Sequence, residues 1–145
     1  MLQKRLEDNK GSPFNAVLIQ SLLQQFPDLM VDQFGNYLCQ KIIEVCNDQE
    51  LKQLVNVIIP SIVKIITNIH GTRSIQTLID ILSKNLDFFK DEVSRIILQI
   101  TPAIKDLSLN VHGNHVIQAF LCIFKSSSMP SDPDQEGTET YDQFT

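Results

Sequence analysis

Three nine-residue segments of this chain can be laid on one another, and that repetition constrains the fold more than any other feature. They are residues 32–40 (DQFGNYLCQ), 68–76 (NIHGTRSIQ) and 110–118 (NVHGNHVIQ). Each carries Asp or Asn, a ring two residues later, then Gly, then Gln five residues past the Gly. The glycines, Gly35, Gly71 and Gly113, stand 36 and 42 residues apart. Pro60 and Pro102 each precede the next repeat glycine by 11 residues, which fixes the register independently. The six extra residues of the longer interval fall around 83–93, between two helical patterns, where lengthening a connection costs little.

Apolar residues between these markers recur at three- and four-residue spacings, as in Leu51, Leu54, Val55, Ile58, Ile62, Ile65, Ile66 and Ile69. That is helical spacing, and no Asn-Gly or Asp-Gly hairpin signal competes with it. The stretch 58–69 is apolar on more than one face, as in helices sandwiched between neighbours. A helical repeat near 36 residues predicts an all-α solenoid of stacked units. Within each unit the pattern predicts a short first helix (60–68, 102–109) and a second after the Gly (36–46, 72–82, 114–124). A third helix follows (49–59, 88–100). Pro60 and Pro102 suit a first helical turn, and the glycines a tight turn between helices.

Residues 2–7 resemble 39–44, one repeat upstream, which predicts that Met1 sits inside the second helix of an earlier repeat. The last repeat is expected to stop after its second helix. The predicted units are a partial repeat at 1–25, repeats at 26–59 and 60–100, and a partial one at 101–125. Such an array is expected to be a piece of a longer one or a truncated gene product. Residues 126–145 hold five acids and no Lys or Arg, with Pro130 and Pro133, and read as an acidic, disordered linker or tail.

Of 17 acidic residues, 12 remain before that tail, against all 12 Lys and Arg, so the net charge of −5 belongs to the tail and the body is neutral. A neutral body argues against sequence-blind, phosphate-driven DNA binding. Three cysteines exclude a paired disulfide framework. Asn56, Pro60, Lys64 and Asn68 interrupt the longest apolar stretch, and the N-terminus is charged from Lys4 onward. No membrane span or signal peptide is expected, and the default is a soluble intracellular protein with reduced thiols.

The polar positions that follow each Gly carry the functional signal: Asn36, Tyr37 and Gln40; Thr72, Arg73 and Gln76; Asn114, His115 and Gln118. On a helix these three are expected to project from one face, while Leu38, Ile42 and Ile43 turn inward. A flat or cationic side chain flanked by two short hydrogen-bonding groups matches a nucleobase. The base face can stack on Tyr, His or Arg, and its edge can pair with an amide or hydroxyl.

The pattern resembles the Pumilio (PUF) RNA-binding repeat family over about residues 1–125. The sets Gly-Asn-Tyr-x-x-Gln, Gly-x-Arg-x-x-Gln and Gly-Asn-His-x-x-Gln look like that family's second, third and fourth repeats, after a partial first. The resemblance implies a right-handed α-solenoid of three-helix Pumilio repeats, incomplete at both ends, that reads single-stranded RNA one base per repeat, with chain and RNA antiparallel. It implies that Asn36 and Gln40 read uracil under a stacking Tyr37. Thr72 and Gln76 then read adenine under Arg73, Thr72 departing from the more usual Cys or Ser. Asn114 and Gln118 nominally read uracil around His115, and Gln3 survives as an edge reader of the partial repeat. The implied partner is an element reading 5′-(U or other)-A-U-3′ in an mRNA 3′ untranslated region. Translational repression and mRNA decay through the deadenylation machinery, in the cytoplasm, follow from the same resemblance, without a cofactor.

Other readings compete. A solvated polar helix face would explain one triplet but not three in register. His70 and His112 share the slot of Phe34, which predicts ring packing at the turn rather than metal binding. Cys39, Cys46 and Cys122 lie among apolar neighbours, with no Cys-x-x-Cys, and read as core thiols. No phosphate-binding loop, His-Glu-x-x-His or Gly-x-Ser-x-Gly is present, and Asp91 and Glu92 point to different faces, so no enzyme is expected. The alternatives are a helical-repeat scaffold that binds proteins, and a nucleolar Pumilio-like ribosome-assembly factor.

Overall fold

The computed structural model describes residues 13–128, with side chains through Phe124. Its elements, in chain order, are α1 (Pro13–Leu22), a 3-10 turn (Leu23–Gln25), α2 (Phe26–Met30), α3 (Gly35–Val45) and α4 (Asp48–Ile58). A second 3-10 turn (Ile59–Ser61) leads to α5 (Ile62–Ile66), α6 (Gly71–Ser83) and α7 (Lys90–Ile100). A third (Thr101–Ala103) leads to α8 (Ile104–Leu109) and α9 (Gly113–Ser128). Among the described residues there is no strand, so the chain is an all-α solenoid. Expectations for Gln3, the partial first repeat and most of the acidic tail lie outside the described residues.

Like elements stack on like. Helices α3, α6 and α9 pack side by side as one ladder, and α4 packs on α7 as another. The short helices α2, α5 and α8 sit against the first ladder, and α2 also touches α4. Apolar residues from successive repeats therefore share one core, including Phe26, Ile43, Leu54, Ile62, Leu78 and Ile96. Pro60 and Pro102 fall in the 3-10 turns, one step earlier than a helical first turn, and let α4 and α7 run almost directly into the next short helix.

The longer middle repeat is accommodated where expected. Helix α6 has 13 residues against 11 in α3, and residues 84–89 form the longer link to α7. That link is packed down: Phe89 is buried and Phe88 meets it edge-on, with ring centroids 4.9 Å apart. The Lys52 ammonium lies 4.3 Å from the centre of the Phe88 ring, a cation–π contact between neighbouring repeats.

The repeat glycines are needed for close approach rather than for a left-handed turn. Each is the first residue of its helix, and a Cβ on Gly35, Gly71 or Gly113 would stand 2.7, 2.3 or 2.7 Å from the carbonyl oxygen of Leu29, Ile65 or Leu107. Any side chain would push the short helix away from the helix that follows it.

Some expected core positions are not core. Phe34 is 74% exposed, so its slot is not a packing site, and His70 and His112 in that slot are half-buried. Cys122 is exposed on α9, unlike Cys39 and Cys46. Burial pushes the Cys39 thiol up to about 12, with the nearby Asp32 carboxylate adding to the shift, and burial raises Cys46 further. Both are inert packing groups.

Candidate nucleic-acid interface

Each helix of the first ladder starts in the same way. The Asp or Asn three residues before the Gly turns its side-chain oxygen onto the first free amides of the helix. Asp32 Oδ2 accepts from Phe34 N at 2.9 Å and Gly35 N at 2.7 Å. Asn68 Oδ1 accepts from His70 N and Gly71 N at 2.7 and 2.9 Å, and Asn110 Oδ1 from His112 N and Gly113 N, both at 2.8 Å. Donors that would otherwise be orphaned at a helix start are satisfied, so the turn is held in one shape in every repeat. The amides of Gly35 and then Phe34 hold the Asp32 carboxyl below its ordinary value, with the positive field of His70 helping and desolvation opposing.

The turn in turn sets the three polar positions. Asn36 is buried, and its Nδ2 donates to the carbonyls of Asp32 and Gln33 at 2.9 and 3.0 Å. Its Oδ1 accepts from Gln40 Nε2 at 3.0 Å. Asn114 repeats this, donating to Asn110 O and Val111 O at 2.7 and 3.2 Å and accepting from Gln118 Nε2 at 2.9 Å. In the middle repeat Thr72 takes the same place with a hydroxyl. Its Oγ1 accepts from Gln76 Nε2 and donates to the His112 carbonyl of the next repeat, both at 3.3 Å.

The three positions therefore do not project equally, as the helix geometry alone suggested. Asn36 and Thr72 are built into the wall, while Gln40 and Gln76 are half-buried and Gln118 is exposed. Each glutamine is aimed by the residue one turn before it and keeps a second N–H and its Oε1 directed away from that bond. Gln40 Oε1 also faces Thr77 Oγ1 of the next repeat at 3.4 Å, a hydroxyl shared with the Arg73 carbonyl at 3.2 Å. Thr77 carries no repeat signature, since Lys41 and Ala119 fill its place in the neighbouring repeats, so sequence reasoning missed it.

The middle member is the outward one in all three repeats: Tyr37 is 53% exposed, and Arg73 and His115 are exposed. The ladder thus presents phenol, guanidinium and imidazole in succession, each beside an oriented amide. Such a surface offers a stacking plane and a donor–acceptor edge per repeat. Among the described residues, no group of three or more His, Cys, Asp or Glu is placed to hold a metal ion. None of the described helices is long and apolar enough to cross a membrane.

The model of the Pumilio-family RNA binding repeat matches residues 25–59, 61–85 and 104–122. A Pumilio domain-containing protein of Schizosaccharomyces pombe is 38% identical over 96 residues, which are 66% of this chain and 13% of that protein. The Suppressor protein MPT5 of Saccharomyces cerevisiae is 36% identical over 84 residues, 54% of this chain and 9% of its own. The chain thus spans about an eighth or less of the length of these two relatives. Among solved structures, the Puf4 RNA binding domain bound to the HO endonuclease RNA 3′ UTR recognition sequence is similar with a TM-score of 0.73 and 32% identity, over 86% of this chain and 40% of that one. The RNA-binding domain of yeast Puf5p bound to AAT2 RNA gives a TM-score of 0.71 and 30% identity, over 81% and 33% of the two chains.

Proposed function

Because the chain belongs to the Pumilio family of RNA-binding repeat proteins, we propose that it is a sequence-specific single-stranded RNA-binding module that reads one base per repeat. The observation that carries this reading is the recurrence, in three successive repeats, of a glutamine hydrogen-bonded to the residue one turn before it, beside an exposed planar or cationic side chain. A protein-binding scaffold has no need of that arrangement, and a neutral body does not favour a reader of backbone phosphates.

In this reading Asn36 with Gln40 is the edge-reading pair for uracil and Tyr37 its stacking plane. Thr72 with Gln76 reads adenine under Arg73, and Asn114 with Gln118 reads uracil beside His115. Gln3 would serve the base on the 3′ side of the uracil read by Asn36 and Gln40, since chain and RNA run antiparallel. The chemistry is recognition, not catalysis. The expected cellular setting is cytoplasmic control of mRNA translation and decay through 3′ untranslated regions.

Stacking contributes about 1–3 kcal/mol per base, so three bases offer roughly 3–9 kcal/mol before ordering costs. A micromolar complex needs about 8 kcal/mol. The chain alone should therefore bind a short uridine- and adenine-containing RNA with a Kd above about 1 µM, and polycytidine more weakly still. Titration of both RNAs by fluorescence anisotropy tests this. Equal binding to the two would refute base reading, and a nanomolar Kd for the monomer would refute the energetic accounting.

A further inference from the structure

Helix α6 sends two hydroxyls across to α3, and both reach the reading positions of the preceding repeat. Ser74 is buried, and its Oγ donates to the Asn36 carbonyl at 3.4 Å. One turn on, Thr77 Oγ1 shares its hydrogen between the Arg73 carbonyl at 3.2 Å and Gln40 Oε1 at 3.4 Å. Neither hydroxyl belongs to the repeat pattern. Superposing the repeats by their 36- and 42-residue offsets puts Leu38 and Val116 in the place of Ser74, and Lys41 and Ala119 in the place of Thr77. Val116 and Ala119 have no hydroxyl to offer, so the seam between α6 and α9 has no counterpart of these two bonds.

The consequence lies in the polarity of the Gln40 amide. An amide presents a donor and an acceptor side by side, and turning it over exchanges them. An amide free to turn therefore accepts a base edge of either polarity. Asn36 Nδ2 is committed to the carbonyls of Asp32 and Gln33, which leaves its Oδ1 facing Gln40 and demands a donor there. Gln40 Nε2 supplies that donor, so Oε1 is the end turned toward the next repeat, where Thr77 meets it. The Arg73 carbonyl holds the Thr77 hydroxyl back along its own helix, which keeps that hydroxyl at one place. In the next repeat Thr72 holds Gln76 Nε2, but the place corresponding to Thr77 is filled by Ala119, which has nothing to donate. Gln40 is held at both ends of its amide, and Gln76 at its nitrogen.

We propose that Thr77 is a positioning residue for base recognition: its hydroxyl holds the glutamine amide of the preceding repeat and so sharpens discrimination at the base that Gln40 meets. The inference rests on the base-reading proposal above and adds to it a residue outside the three reading positions. Thr77 acts only through Gln40. Its effect is therefore confined to the choice between base edges of opposite polarity. Uracil and cytosine are such a pair: uracil presents N3–H and the O4 acceptor where cytosine presents a bare N3 and the N4 donor. Adenine and guanine differ in the same way at N1 and the exocyclic group beside it.

The test is competition titration of the full chain with RNAs that carry uracil or cytosine at the nucleotide facing Gln40. A second pair carries adenine or guanine at the nucleotide facing Gln76. Thr77→Val keeps the shape of the side chain and removes the hydroxyl. It should reduce the uracil-over-cytosine ratio roughly threefold to tenfold, the scale of one neutral hydrogen bond, and leave the adenine-over-guanine ratio unchanged. Thr77→Ser should keep both ratios, and Ala119→Thr should raise the second. Without RNA, nitrogen-15 relaxation of the Gln40 side-chain amide should show faster motion in Thr77→Val and not in Thr77→Ser. A wild type that prefers uracil and a Thr77→Val variant that keeps that preference would overturn the proposal and leave base reading intact. So would equal loss of both ratios, which marks a merely structural role, or a Gln40 amide unmoved by the substitution. A wild type with no preference at either nucleotide would overturn base reading itself, and this proposal with it.

Discussion

The helices that begin at Gly71 and at Gly113 place equivalent side chains in different surroundings. In both, the glutamine one turn on bonds back to the first residue, Gln76 to Thr72 and Gln118 to Asn114. In both, an Asn three residues before the Gly closes the turn. The apolar positions diverge. Ile79 and Leu82 are 3% and 1% exposed, while Leu121 and Phe124 are 62% and 38% exposed. Features made by neighbours along the helix survive at the end of the stack, and features made by the next layer do not. The glutamine hydrogen bonds belong to the first kind and the burial of apolar side chains to the second, which is expected of a quasi-one-dimensional array.

The largest expected difference is at the glycines. Gly71→Ala drives a Cβ to 2.3 Å from a backbone oxygen in a repeat held on both sides, and should cost about 3 kcal/mol or more in urea unfolding. Gly113→Ala meets a gap of 2.7 Å at the end of the stack, where α8 can shift, and should cost about 1–2 kcal/mol. Equal losses would mean that the end repeat is as constrained as the middle one. Next in size, Ile79→Ala should cost about 2–4 kcal/mol, and Leu121→Ala less than about 0.5 kcal/mol. A large loss at Leu121 in the monomer would show that this side chain is covered. Removing the turn-closing oxygen with Asn68→Ala should cost about 1 kcal/mol.

The smallest effect separates the first turn from the other two by pH. The Asp32 carboxyl is held low by the amides of Gly35 and Phe34, so the folded state favours its ionised form. That contribution is present above the ordinary carboxylate range and is lost as pH falls through the lowered folded value. Hydrogen exchange at Phe34 and Gly35 should accelerate in acid relative to His70 and Gly71, whose acceptor Asn68 does not titrate. Asp32→Asn should abolish the difference, and its persistence would assign the pH response elsewhere.

The sequence pattern was most legible where a covalent or steric requirement repeats. The glycines stand where a Cβ would strike a carbonyl, and the prolines and the lengthened middle link fall where spacing put them. Helix boundaries agree to within about two residues, the ordinary uncertainty of such ends, except that α9 runs to Ser128, four residues past the expected end at 124. Legibility failed where a partner decides the outcome. A helical wheel puts Asn36 on the same face as Gln40, yet the carbonyls of Asp32 and Gln33 draw its amide into the wall. Phe120 and Leu121 are neighbours of similar hydropathy, yet Phe120 is 5% exposed within the shared core while Leu121 is 62% exposed. Cys122 and Phe34 were misplaced for the same reason, since apolar character does not reveal whether a neighbour covers it.

The central claim is that side chains at fixed positions of each repeat choose the base. It is tested most directly by exchanging the set of one repeat for that of another. Thr72→Asn with Arg73→Tyr recreates beside Gln76 the combination present at Asn36, Tyr37 and Gln40. Competition titration of the full chain with RNAs that differ at one nucleotide should show preference at that position moving from adenine toward uracil by about 1–3 kcal/mol, with neighbouring positions unchanged. Equal weakening on both RNAs, or no base-dependent change, would contradict the account.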